Sequence, residues 1–168
     1  EMLIYPADER YKKFNGVHLC DSPYLLAVGA AHPLYQKVTQ AGSRRPIVVS
    51  DLTDEEFVFV KQADDCIEKP YELCVGAALH PIVKVITISQ DKHRQMVASG
   101  AAIGFVSQDS AEAYAADSRI ALAPIKESNY STELMVCFKR DKHLSTMGQE
   151  LKEYVLEQMQ KPRRARTS

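Results

Sequence analysis

Apolar and polar positions alternate most clearly between residues 83 and 108, VKVITISQDKHRQMVASGAAIGFVSQ. Residues 83–88 set β-branched side chains around Lys84 and Thr87, the pattern of a strand with at least one buried face. Ser89 then offers a hydroxyl to the backbone N–H groups that a new helix leaves unpaired. Over residues 90–99, Met96 and Val97 fall three and four positions after His93, on one helical face. Gly100 closes that helix, because glycine enters the left-handed C′ conformation without a steric penalty. Residues 101–106 form a short uncharged apolar run, as expected of a strand covered on both faces. Strand, capped helix, glycine and buried strand make a βαβ unit, whose strands should be parallel and whose crossover right-handed.

Geometry says where such a unit holds a ligand. In an open α/β sheet, small molecules sit beyond the carboxyl ends of the strands, where helix N-termini point their N–H groups outward. Ser89, Gln90 and Ser107 fall at that mouth, although capping alone is a sufficient reason for a serine at residue 89.

The remaining pattern supplies further elements. Residues 2–5 form a brief strand ending at Pro6, read as the last strand of a unit whose beginning is not in the chain, and residues 7–16 a polar loop with an Asn15-Gly16 turn. Residues 17–20 and 24–29 read as strands, and residues 36–46 as an exposed connection between lobes. Residues 56–60, EFVFV, are a strand, and residues 64–79 a helix interrupted or restarted at Pro70. Residues 109–114 read as a short helix with an acidic start. Residues 120–125 form a strand whose Pro124 suits an edge or a crossing between lobes, and residues 132–139 another strand. In residues 145–160, Met147, Leu151, Tyr154, Val155 and Met159 recur at helical spacing, and residues 161–168 are a basic, solvated tail. These elements assemble into an α/β fold of two lobes with a hinge and an interlobe cleft. Residues 45–124 form the second lobe, and residues 1–44 with 125–160 an incomplete first lobe.

Composition narrows the function. A chain of 168 residues with net charge −1 carries no general nucleic-acid surface. Its apolar runs fall well short of the roughly 20 residues that span a bilayer. The four cysteines, Cys20, Cys66, Cys74 and Cys137, show no CxxC pair or zinc spacing, which suits reduced thiols in the cytosol. Cys66 and Cys74 share one expected helix, roughly 12 Å apart at about 1.5 Å per residue, so pairing them requires that helix to melt.

Taken in order, YLLAVGAAHPL, SDLTDEEFVFV and LHPIVKVITISQDKHRQMVASGAAIGFVS, followed by a crossing strand and a C-terminal helix, resemble the effector-binding domain of LysR-type transcriptional regulators. The resemblance spans residues 1–160 and is carried most specifically by His32-Pro33-Leu34 and by Met96-Val97-Ala98-Ser99-Gly100 with Ile103. It implies a type 2 periplasmic-binding-protein-like fold, a cytoplasmic bacterial sensor and a small-molecule effector. It also implies a homodimer or homotetramer whose promoter DNA is bound by an N-terminal domain absent from this chain. By position, the resemblance lines the cleft with Tyr5 and Pro6 from the incomplete lobe, and with Lys61, Gln62, Ser89, Gln90 and Ser107 from the complete one. Lys61 offers a point charge for a carboxylate. Two departures, Ala102 in place of the family's second glycine and Ser107 in place of its common proline, lie at the mouth and leave the effector class open. Peroxide-sensing members carry two cysteines near the positions of Cys66 and Cys74, but the spacing here is one residue shorter.

Other classes are less well supported. No nucleophile elbow, Gly-rich phosphate loop or His/Asp/Glu ligand set is present, so no enzyme, metal or cofactor is expected. His18 and Cys20 share a strand face without further ligands, and His93 reads as a core histidine. A periplasmic solute-binding protein of a transporter has the same fold and is the main alternative. A cysteine-based redox sensor of the same regulator family ranks below it.

Overall fold

The strand EFVFV shows how the larger part of the protein is built. In the computed structural model, which describes residues 2–6, 14–40, 46–61, 69–127, 130–139 and 145–160, this strand is β3 (Glu56–Val60). Successive side chains on a strand point to opposite faces, yet Phe57, Val58, Phe59 and Val60 are all buried. Both faces of β3 are therefore covered, and the alternation of aromatic and aliphatic residues matches two different linings. Phe57 stacks on Phe59 and on Phe105 with ring centroids 5.7 Å apart, in a cluster with Leu26, Leu73 and Ile103. Val58 faces the other way, into a cluster of Ala27, Val97, Ala102, Val106 and Tyr114.

Two compact units divide the chain, Pro23–Ser131 and Glu1–Ser22 with Thr132–Ser168. In the first, β4 (Ile82–Thr87) runs parallel to β3. β5 (Gly104–Ser107) meets β3 through a parallel Phe57–Ile103 bridge, where the Val58 N–H donates to the Ile103 carbonyl at 2.9 Å. β2 (Phe14–Gly29) lies antiparallel between β5 and β6 (Ile120–Pro124) over its second half. The resulting order is β4-β3-β5-β2-β6, so the two strands of the expected βαβ unit are parallel but separated by β3.

Several expectations change at this level. β4 was expected to bury a face, but it pairs with β3 at the margin of this sheet and leaves Ile82, Val83 and Ile86 exposed. Residues 17–20 and 24–29 are one continuous strand, and its second half is paired on both sides by β5 and β6. The packing boundaries of the two units fall at 22/23 and 131/132.

Residues 34–40 form a helix, although residues 36–46 read as an exposed connection. α1 (Leu34–Gln40) follows a turn in which His32 Nδ1 accepts the Leu34 N–H at 3.3 Å, and Nε2 lies 3.4 Å from the Glu55 carboxylate. α2 (Lys69–Gly76) carries Pro70 in its first turn, where a missing N–H breaks no helical bond. The earlier start expected from residue 64 lies outside the described residues. α3 (Gln90–Ala98) is capped by Ser89, whose hydroxyl accepts the Lys92 N–H at 3.4 Å, and it is followed by Gly100 at φ +71°. α4 (Ala111–Ala115) returns from β5 to β6.

In the smaller unit, β1 (Met2–Pro6) pairs antiparallel with β7 (Ser131–Lys139), which lies between β1 and β2. α5 (Thr146–Gln160) packs Val155 and Leu156 against Leu19, Leu134 and Val136. Met147, Leu151 and Tyr154 face outward instead, although their spacing is that of a buried stripe. No described helix is long and apolar enough to cross a membrane.

Cys74 sits fully buried in α2, where desolvation pushes its thiol up to about 12. The thiolate is the reactive form, so Cys74 is expected to resist a maleimide at neutral pH in the native protein and to react on denaturation. Mass-mapped labelling reads this directly, and fast native modification of Cys74 would contradict its burial. The redox alternative loses one of its two thiols on this ground; Cys66 lies outside the described residues.

Candidate functional site

Because β3, β4 and β5 are parallel, their carboxyl ends reach the same edge of the larger unit. Lys61 follows β3, and its backbone N–H donates to the Thr87 carbonyl at 2.6 Å, tying the ends of β3 and β4 together. The Thr87 hydroxyl accepts the Ser89 N–H at 3.1 Å, which sets the turn into α3. Gln90 opens that helix and is exposed. Ser107 ends β5, paired with Tyr24 across the sheet and with its hydroxyl 3.4 Å from that of Ser110.

Lys61, Ser89, Gln90 and Ser107 thus follow or adjoin strand ends at one edge of the larger unit. Gln62 lies outside the described residues. Tyr5 and Pro6 end β1 in the smaller unit, opposite Met135 and Leu134. The edge offers an ammonium, two hydroxyls and an amide, a set that suits a small polar or anionic molecule. Among the described residues, no three His, Cys, Asp or Glu side chains are grouped to hold a metal. His18 is exposed and lies 3.1 Å from Asp21.

Behind Gln90 the structure adds two residues that the sequence did not link to the mouth. Tyr114 on α4 places its hydroxyl oxygen 2.7 Å from His93 Nδ1 and 3.2 Å from the end of the Gln90 side chain. The two rings meet edge to face at 5.7 Å. His93 is 1% exposed, and burial is the main cause that pushes its imidazole down to about 4, against an opposing hydrogen bond to the Val58 backbone. It is a neutral core histidine at physiological pH, as the sequence suggested. Gly104 makes its seat, since a Cβ there would stand 2.4 Å from His93 Nε2. The i, i+3 spacing of Gln90 and His93 put them on one helical face, but Tyr114 arrives through the β5–α4 turn and carries no local signal.

Comparison with known proteins agrees with this architecture. The family model for the LysR substrate binding domain matches residues 2–160. The regulatory domain of CcmR from Synechocystis PCC6803, solved in complex with 2-PG, is similar with a TM-score of 0.74 and 21% identity, over 95% of this chain and 74% of that one. The C-terminal domain of a probable LysR family regulator from Rhodococcus sp. RHA1 gives a TM-score of 0.68 and 19% identity, over 92% and 73%. The BenM effector-binding domain with benzoate gives 0.71 and 16%, over 94% and 68%. No curated protein matches the chain.

Proposed function

Since the chain belongs to the LysR substrate-binding domain family, with its type 2 periplasmic-binding-protein-like fold, we propose that it is the ligand-sensing domain of a transcriptional regulator. Its effector is a small polar or anionic metabolite held at the edge formed by Lys61, Ser89, Gln90 and Ser107. Gln62, the residue after Lys61 in the sequence, belongs to the same proposed site. Effector preference for one hinge angle biases the full-length oligomer between two states on promoter DNA, which a separate N-terminal domain contacts. The protein works in the cytoplasm as a homodimer or homotetramer and catalyses no reaction.

The observation that carries this reading is the placement of four polar residues at the carboxyl edge of parallel strands, the general position of ligands in such sheets. Domains of similar fold were solved with 2-PG, shikimate and benzoate. These are small acids, and Lys61 is a matching point charge. The apolar margin of Ile82, Val83 and Ile86 on β4 is consistent with assembly.

Calorimetric titration of the sensor domain against a panel of organic acids is expected to find a binder. Ser89→Ala with Gln90→Ala is expected to weaken that binder by about 2 kcal/mol, roughly thirtyfold, for two lost hydrogen bonds. Unchanged affinity in the double variant would place the site elsewhere.

A further inference from the structure

We propose that His93 and Tyr114 are positioning residues that hold the Gln90 amide with its carbonyl oxygen turned away from Tyr114. The mouth at Gln90 then takes a hydrogen-bond donor from the effector, a hydroxyl or an ammonium, in preference to an acceptor. This inference rests on the ligand site proposed above and names what one part of it selects.

The Val58 N–H is engaged by the Ile103 carbonyl at 2.9 Å, so the Val58 group that hydrogen-bonds His93 is its carbonyl oxygen. Nδ1 of the ring is the nitrogen at Tyr114, and Nε2 lies over Gly104 on the same side as the Val58 oxygen. A carbonyl only accepts, so Nε2 carries the single proton of the neutral imidazole. Nδ1 is then only an acceptor, and the 2.7 Å contact is the Tyr114 O–H donating to it.

That hydroxyl has one proton, and toward Gln90 its oxygen can only accept. An amide oxygen at that end of Gln90, 3.2 Å away, would set two acceptors against each other. The two ends of a terminal amide are interchangeable by a half-turn, and the hydrogen-bond network decides between them. The end facing Tyr114 is therefore the NH2 group, which donates to the tyrosine oxygen, and Oε1 is presented outward. Two features keep the chain from rearranging. The His93 ring is fixed between Gly104 and Tyr114, and among the described residues no buried side-chain nitrogen or oxygen lacks a partner.

The test uses the isotope-labelled chain and its Tyr114→Phe variant, which keeps the edge-to-face packing and removes only the hydroxyl. Long-range proton–nitrogen NMR is expected to find the His93 proton on Nε2. Hydrogen exchange of one Gln90 side-chain N–H is expected to quicken at least tenfold in the variant. A proton on Nδ1, or equal Gln90 exchange in both proteins, overturns the proposal, because a histidine that merely fills space predicts no change at Gln90. Lactate and propionate, which differ by one hydroxyl, then probe selectivity. Wild type is expected to favour lactate roughly fivefold, the net worth of one hydrogen bond, and the variant to lose that preference. Equal affinities in wild type overturn the donor preference. If the exchange result holds and neither probe shifts the Gln90 resonances, the positioning stands and the ligand site at Gln90 is refuted.

Discussion

Replacing Gly29 by alanine is expected to cost about 3 kcal/mol or more of folding stability, near or beyond the upper end of overpacking penalties. Gly29 ends β2 where the last turn of α3 crosses it. A Cβ there would lie 1.9 Å from the Val97 carbonyl oxygen and 2.9 Å from the Gly100 nitrogen. Both atoms are backbone, and they are bonded to each other, with the Gly100 N–H donating to Val97 O at 2.9 Å. No side-chain rotation relieves such a clash, so the end of α3 must move or the strand must bend. Gly100 has the complementary constraint. It holds φ +71°, and its own Cβ would meet the Ala31 backbone at 2.9 Å. The two glycines permit one close crossing from opposite sides, which makes the site intolerant of even a methyl group. Urea unfolding of Gly29→Ala should show a lower midpoint with an unchanged slope. A loss below about 1 kcal/mol would mean that the α3 terminus yields more easily than its hydrogen bonds indicate.

The same crossing illustrates what the sequence could and could not tell. Ser89 and Gly100 are local signals whose effects act within one turn, so both ends of α3 were legible. The burial of residues 102–106 was legible because a short uncharged apolar run needs cover on both faces. The exposure of β4 was not, since β-branched residues mark a strand without saying whether it is central or marginal. The continuity of β2 through Pro23 was hidden for a related reason. A proline usually argues for a break, yet β2 continues through it and pairs on both sides beyond it. At the candidate site, Ser89, Gln90 and Ser107 followed from the rule about strand ends, and Lys61 from the family resemblance. The role of Tyr114 behind Gln90 did not, because it depends on the path of the chain from β5 through α4.

Acidification from pH 6.5 to about 4 is expected to remove about 3 kcal/mol of stability through His93 alone. Its pKa is about 4 in the folded protein against an ordinary 6.5, and each unit of difference is worth about 1.4 kcal/mol. Within this interval the unfolded chain binds a proton that the folded protein refuses, so acid favours unfolding. The contribution is complete above pH 6.5 and falls away as pH drops through the folded value. The physical cost is twofold, since a charged imidazole would be stranded among Val58, Gly104 and Tyr114. A protonated Nδ1 would also face the tyrosine hydroxyl as a second donor. Asp117, held down to about 2 by its hydrogen bonds from Arg119, gives way below this window and does not obscure it. The double variant His93→Leu, Tyr114→Phe replaces both partners by apolar groups, which avoids leaving a lone buried hydroxyl. Its stability, measured by urea titration at half-unit pH steps, is expected to lose most of the slope between pH 6.5 and 4. A slope equal to that of wild type would assign the acid sensitivity to other groups and require His93 to titrate near its ordinary value.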